Sequence, residues 1–187
     1  MTRLHSPGFE DAGDDAILAF YSGNKPDSHG RKIEEVWSFN DHQLESVHDY
    51  IQWLFPLQTR SAFNPAAPLL TERTIRTFRA SELLISRLKQ SIEIMLKFYG
   101  LESLEGEDGN LEIGKSPKFS TKSRNWLEPG NHNHLRLTRI MTSATLLGLE
   151  DYSRALYASL KELMREYPNC FSAQTAEIWR EAAAGQS

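Results

Sequence analysis

Apolar residues recur at three- and four-residue steps along most of this chain, the spacing that aligns them on one face of an α-helix. Asp14 or Asp15 can cap a short helix through Ile17, Leu18 and Phe20, which the Gly23-Asn24-Lys25-Pro26-Asp27 turn signal ends. Ile33, Val36 and Trp37 predict a second short helix, up to Phe39. Asn40 or Asp41 then opens a helix in which Leu44, Val47, His48, Ile51, Leu54 and Phe55 share one face while Tyr50 and Trp53 fill another. A helix apolar nearly all round is buried, and His48 lies on its inner stripe. Pro56 ends it, and Pro65 and Pro68 keep residues 57–70 extended. From Thr71 the steps through Ile75, Phe78, Ile85, Leu88, Ile92, Met95 and Tyr99 predict one long central helix, closed by a left-handed Gly100.

Residues 101–130 break the pattern. Gly106, Gly109, Gly114, Pro117, Pro129 and Gly130 punctuate a long loop without convincing strand alternation. Asn131 can cap the next helix, with Leu137, Ile140, Ala144 and Leu147 inward and Gly148 after it. Asp151 starts another, carrying Tyr152, Leu156, Leu160, Leu163 and Tyr167 up to Pro168, and Ser172 or Thr175 opens a last piece through Ile178 and Trp179. The prediction is an all-α fold: a loose leader over residues 1–13, then a single globular domain over residues 14–187 with about six or seven helices.

Composition narrows the class without naming a function. At 187 residues, 40% apolar and 25% charged, the chain can bury a core without staples, and its single Cys170 permits neither an internal disulfide nor a CxxC zinc site. No apolar run reaches the roughly 20 residues of a membrane span and no signal pattern opens the chain, so the expectation is a soluble, cytoplasmic protein. The net charge of −4 is unevenly spread. Residues 1–50 hold ten acids against four Lys and Arg, whereas residues 115–139 hold Lys115, Lys118, Lys122, Arg124, Arg136 and Arg139 against Glu128. That basic segment is either an anion-binding surface or the electrostatic mate of the acidic half.

The string Tyr50-Ile51-Gln52-Trp53-Leu54-Phe55-Pro56-Leu57, preceded by Glu45 and His48, resembles the signature of the opioid growth factor receptor conserved-domain family. Phe20-Tyr21 with Gly23 and Pro26-Asp27, Phe98-Tyr99-Gly100-Leu101, Gly109-Asn110, Asn125-Trp126, His132-Asn133, Leu135-Arg136-Leu137 and Thr138-Arg139-Ile140 are similar to the family in the same order, over roughly residues 17–165. The resemblance implies a helical domain, a receptor for the pentapeptide methionine-enkephalin that restrains proliferation, and nuclear association.

The candidate ligand-binding residues are His48, Gln52, Trp53, His132, Asn133, Arg136 and Arg139, facing a cleft between the His48–Trp53 helix and the His132–Arg139 helix. The last four sit on the first two turns of a helix, where free N–H groups favour anions, and Lys118, Lys122 and Arg124 from the preceding loop join them in one cationic site. A peptide carboxylate can pair there with Arg136 or Arg139 while an aromatic side chain enters beside Trp53. Each residue also has a structural reading. Trp53 and Tyr50 can be core, Gln52 can satisfy helix-end backbone, His48 can bond a buried partner, and the Arg73, Arg76 and Arg79 stripe can be a solvated face.

The leading expectation is a non-enzymatic module for a peptide or other small anionic ligand, with a protein partner as a further option. No catalytic residue, cofactor or metal is assigned: glycine-rich phosphate loop, GxSxG elbow and HExxH are all absent. The alternative is a metal-dependent hydrolase in which Glu45 and His48, three apart, meet His132 or His134. Nucleic acid is disfavoured, because an acidic chain repels a polyanion before a local patch can act. Cys170 lacks a histidine nearby in sequence to serve as its base.

Overall fold

The computed structural model describes residues 15–62 and 64–185, so the expected 1–13 leader lies outside the described residues. Helix α1 (Ala16–Tyr21) starts where the Asp15 carboxylate accepts from the N–H groups of Ile17 and Leu18, and α2 (Ile33–Trp37) follows. Asn40 caps α3 (Asp41–Ser46) by accepting from Gln43 N, while Gln43 returns the bond to the Asn40 backbone.

The predicted helix through Phe55 is broken in two. Val47 is extended and ends α3, and α4 (Ile51–Leu54) begins only after it. The predicted central helix is likewise two helices, α5 (Glu72–Arg79) and α6 (Glu82–Tyr99), because the Ser81 side chain accepts from Leu84 N and starts a new helix. The periodicity runs across this joint since Ile75 and Phe78 of α5 and Leu84 and Leu88 of α6 are all buried. Gly100, at φ +78°, closes α6 where a Cβ would lie 2.9 Å from the Phe119 Cα, so any side chain there meets both strain and collision.

The expected loop contains an antiparallel hairpin, β1 (Leu101–Glu105) and β2 (Leu111–Lys115), in the register Leu101↔Lys115 and Ser103↔Ile113. Its inner face is assembled from Leu101 of one strand and Ile113 of the other, both buried. Neither strand alone shows a full apolar alternation, which is why the pattern reads as loop. On the opposite face Leu104 lies over Gly114, where a Cβ would come within 2.8 Å of the leucine. Short α7 (Phe119–Lys122) leads to α8 (Asn133–Leu146), α9 (Glu150–Glu166) and α10 (Ala173–Ala184). Helix α6 packs against α1, α5, α7 and β1, while α8, α9 and α10 pack on one another and α9 covers β2. The fold is predominantly helical.

Two buried tryptophans find partners for their indole N–H groups: Trp126 Nε1 donates to the Tyr99 carbonyl at 3.0 Å and Trp179 Nε1 to the His134 carbonyl at 3.1 Å. No helix among the described residues is long and apolar enough to cross a membrane.

Candidate functional site

The break between α3 and α4 strips backbone carbonyls of their helical partners, and Arg136 of α8 takes them. Its Nη1 donates to Leu44 O at 2.8 Å and to Asn133 Oδ1 at 3.3 Å. Its Nη2 donates to Glu45 O and Val47 O, each at 3.2 Å, and to His48 Nδ1 at 3.0 Å. A guanidinium has no acceptor, so His48 Nδ1 must offer its lone pair and the neutral ring carries its proton on Nε2. Arg136 is buried and its terminal nitrogens are committed to the protein, which corrects the expectation that it binds an anion.

Asn133 is corrected in the same way. Fully buried, its Oδ1 accepts from Tyr99 Oη as well as Arg136, and its Nδ2 donates to Glu45 Oε2 at 3.1 Å. Trp53 is also core rather than a stacking platform: it is 6% exposed and its ring lies 5.3 Å from that of Phe20. His48 departs from its expected inner stripe. Once α3 ends at Ser46, the imidazole is turned to the surface, 5.6 Å from the His132 ring in an edge-to-face arrangement. His132 is exposed and its Nε2 lies 3.2 Å from Glu45 Oε1. Partial burial, aided by Arg136 and His48, holds its pKa below the ordinary value against the pull of Glu45.

Glu45, His48 and His132 therefore converge, with Glu45 Oε1 against His132 Nε2, Glu45 Oε2 accepting from Asn133, and His48 Nδ1 accepting from the Arg136 cation. Among the described residues no three His, Cys, Asp or Glu side chains form a group that could hold a metal. His134 faces away, with Nε2 bonded to Trp126 O at 3.0 Å and its ring against Phe171 and Trp179.

The basic segment does not gather into one site. Lys122 pairs with Asp41 at 2.8 Å and Lys115 with Glu166, while Lys118 lines a different hollow beside Glu93 and Lys97. The Lys122–Asp41 and His132–Glu45 pairs make this segment, in part, the mate of the acidic N-terminal half. Arg73, Arg76 and Arg79 are exposed, with Arg79 paired to Glu150. The Cys170 thiol donates to Leu127 O at 3.2 Å.

What remains is a cleft of about 510 Å³ between α4 and α8, roofed by the chain after Pro56. His48, Gln52, His132, Arg136 and Arg139 line it; Trp53 and Asn133 do not. Its apolar wall comes from Ile51, Leu57, Ala62 and Leu135, the last 54% exposed. In the amide orientation that satisfies its neighbours, buried Gln52 donates to the carbonyls of His48 and Asp49 at 3.2 and 3.1 Å, the structural role its sequence position allowed. Arg139 differs from Arg136, one turn earlier. Its Nη1 donates to Phe55 O at 2.8 Å, and no carboxylate pairs with it among the described residues. Burial alone pulls its pKa down to about 10. Arg60, which the sequence did not single out, also lines the cleft and donates to Pro65 O at 3.1 Å. Its only sequence signal was a cation in a proline-bounded extended segment.

The opioid growth factor receptor (OGFr) conserved region matches residues 10–166. The chain belongs to that family. It is 36% identical to the human opioid growth factor receptor over 163 residues, covering 83% of this chain and 24% of the human protein. The opioid growth factor receptor-like protein 1 of Xenopus tropicalis is 35% identical over 145 residues, 74% of this chain and 27% of that protein. Its mouse counterpart is 34% identical over 163 residues, 82% of this chain and 34% of that protein. The chain thus spans about a quarter to a third of the relatives it matches, and every cleft residue falls inside the matched opioid growth factor receptor region. No solved structure matches the chain.

Proposed function

We propose that this opioid growth factor receptor-family domain is a non-enzymatic module that binds a short peptide in the cleft between α4 and α8. The observation that supports it is the cleft's composition: an apolar wall of Ile51, Leu57 and Leu135 together with Arg139, a half-buried cation without a counter-ion among the described residues. Sites for small ligands combine such an apolar lining with a few polar groups that fix orientation. The relatives' name, opioid growth factor receptor, makes methionine-enkephalin the first peptide to try. Calorimetric titration of the chain with that pentapeptide and with a scrambled version tests the reading: saturable heat for the first and at least about tenfold weaker binding of the second is the expected result. Equal or absent heats for both defeat it. The hydrolase reading is disfavoured because the Arg136 cation bonds His48 Nδ1, one of the atoms a metal would need, and its charge would repel a metal ion there.

A further inference from the structure

We propose that the cleft recognises the free C-terminal carboxylate of its ligand, held by Arg139 with help from Arg60, while the last side chain rests on Ile51, Leu57 and Leu135. This rests on the peptide-binding reading and adds which end of the peptide is read. Two arginines on one helix, three residues apart, set up the contrast. Arg136 fills its terminal nitrogens with protein acceptors, whereas Arg139 has one acceptor among the described residues, Phe55 O, and a guanidinium fork offers five donors.

A partly buried cation without a counter-ion costs the free protein stability, since burial disfavours its charged form. The lowered Arg139 pKa reflects that cost and has no cause other than burial. A carboxylate entering the cleft supplies the missing charge and can be met bidentately. Arg60 contributes a second cation from the segment after Pro56, again without a carboxylate partner among the described residues. A carboxylate carrying an apolar side chain suits a cleft whose lining sets Ile51, Leu57, Ala62 and Leu135 alongside its cations and hydroxyls, since a bare phosphate dianion leaves that apolar part uncovered. The ligand chemistry is then an anionic head directly attached to an apolar side chain, as at the end of a peptide closing in leucine, methionine or phenylalanine.

The test titrates N-acetyl-leucine and N-acetyl-leucinamide into the ¹⁵N-labelled full chain. The acid should shift the resonances of Ile51, Leu57, Leu135 and Arg139 saturably, and the amide should bind at least about tenfold more weakly, the factor a charge-assisted hydrogen bond supplies. Arg139→Gln should lose the preference for acid over amide and, because it gives up the bond to Phe55 O along with an uncompensated charge, should melt no more than about 4 °C below wild type. Arg60→Gln, at an exposed position, keeps the test valid should Arg139→Gln fold poorly, and it should weaken the acid by about threefold. Equal affinity for acid and amide in the wild type, or an undiminished acid preference in both variants, overturns the proposal. Inorganic phosphate that binds these resonances more tightly than N-acetyl-leucine also overturns it. If N-acetyl-leucine binds and methionine-enkephalin does not, the opioid reading falls and the carboxylate site stands. If methionine-enkephalin binds equally as acid and amide, the carboxylate site falls and peptide binding stands.

Discussion

Replacing Arg136 with alanine removes five hydrogen bonds, four of which join α8 to the α3–α4 break, and the cost follows from which acceptors keep another partner or can find water. Val47 and His48 lie at or near the surface, so solvent can replace their bonds. Leu44 O and Asn133 Oδ1 belong to buried residues and lose charge-assisted bonds of 2.8 and 3.3 Å, keeping only the neutral bonds from Tyr50 Oη and Tyr99 Oη. At about 1.5–3 kcal/mol for each such bond, less the desolvation relieved when the guanidinium is removed, Arg136→Ala should cost about 3–5 kcal/mol. For a chain of this size that lowers the melting temperature by about 6–20 °C. Differential scanning calorimetry reads it, and Arg136→Met serves as control because it keeps most of the apolar stem. A melting temperature within about 3 °C of wild type for Arg136→Ala would refute the argument that α3 ends where it does because Arg136 donates to its carbonyls. A full rescue by Met would show that packing, and not the bonds, joins these elements.

Three further outcomes follow from burial. Trp53→Ala should cost about 3–5 kcal/mol by denaturant titration, since the ring is packed on Phe20, whereas Trp53→Phe should cost under about 1.5 kcal/mol because the indole N–H has no partner to lose; equal costs for the two contradict this. His48→Ala should cost no more than about 1 kcal/mol, its single bond being at the surface, and a larger loss would return His48 to the core. His134 is held below its ordinary pKa of 6.5 by burial, so the folded chain binds its proton less readily than the unfolded chain. Its contribution is fully present above pH 6.5 and is lost as pH falls from there toward the lower folded value. Stability should therefore decline between about pH 7 and 5, and His134→Gln, with His132→Gln for the same direction at His132, should flatten the decline; an unchanged slope in the double variant contradicts it.

The helices were legible where one face of a single segment carried the signal. Asp15 and Ser172 do cap α1 and α10, and Leu137, Ile140 and Ala144 do face inward from α8. The departures share one physical cause, which is that the deciding partner lies far along the chain. The α3–α4 break is stabilised by an arginine about 90 residues away, and the hairpin's apolar face exists only when Leu101 meets the strand that carries Ile113. The same limit applies to the cleft. Periodicity put His48, Gln52, His132, Arg136 and Arg139 opposite one another, and they do line one cavity. It could not separate Arg136 from Arg139, because both are cations on one helix and only the carbonyls beyond them differ. The expected cationic site of Lys118, Lys122 and Arg124 beside the start of α8 did not form for the converse reason, Lys122 lying against Asp41 of α3 and Lys118 in a different hollow.

The most direct measurement of the central claim is a map of where a peptide binds. Titrating methionine-enkephalin into the ¹⁵N-labelled chain should shift the amide resonances of Ile51, Gln52, Leu57, Leu135, Thr138 and Arg139, which line the cleft between α4 and α8. It should leave the hollow between α8 and α10, around Thr142, Thr145 and Ile178, unmoved. Shifts centred on that second hollow, or no shifts at millimolar peptide, would contradict the assignment of the cleft as the ligand site.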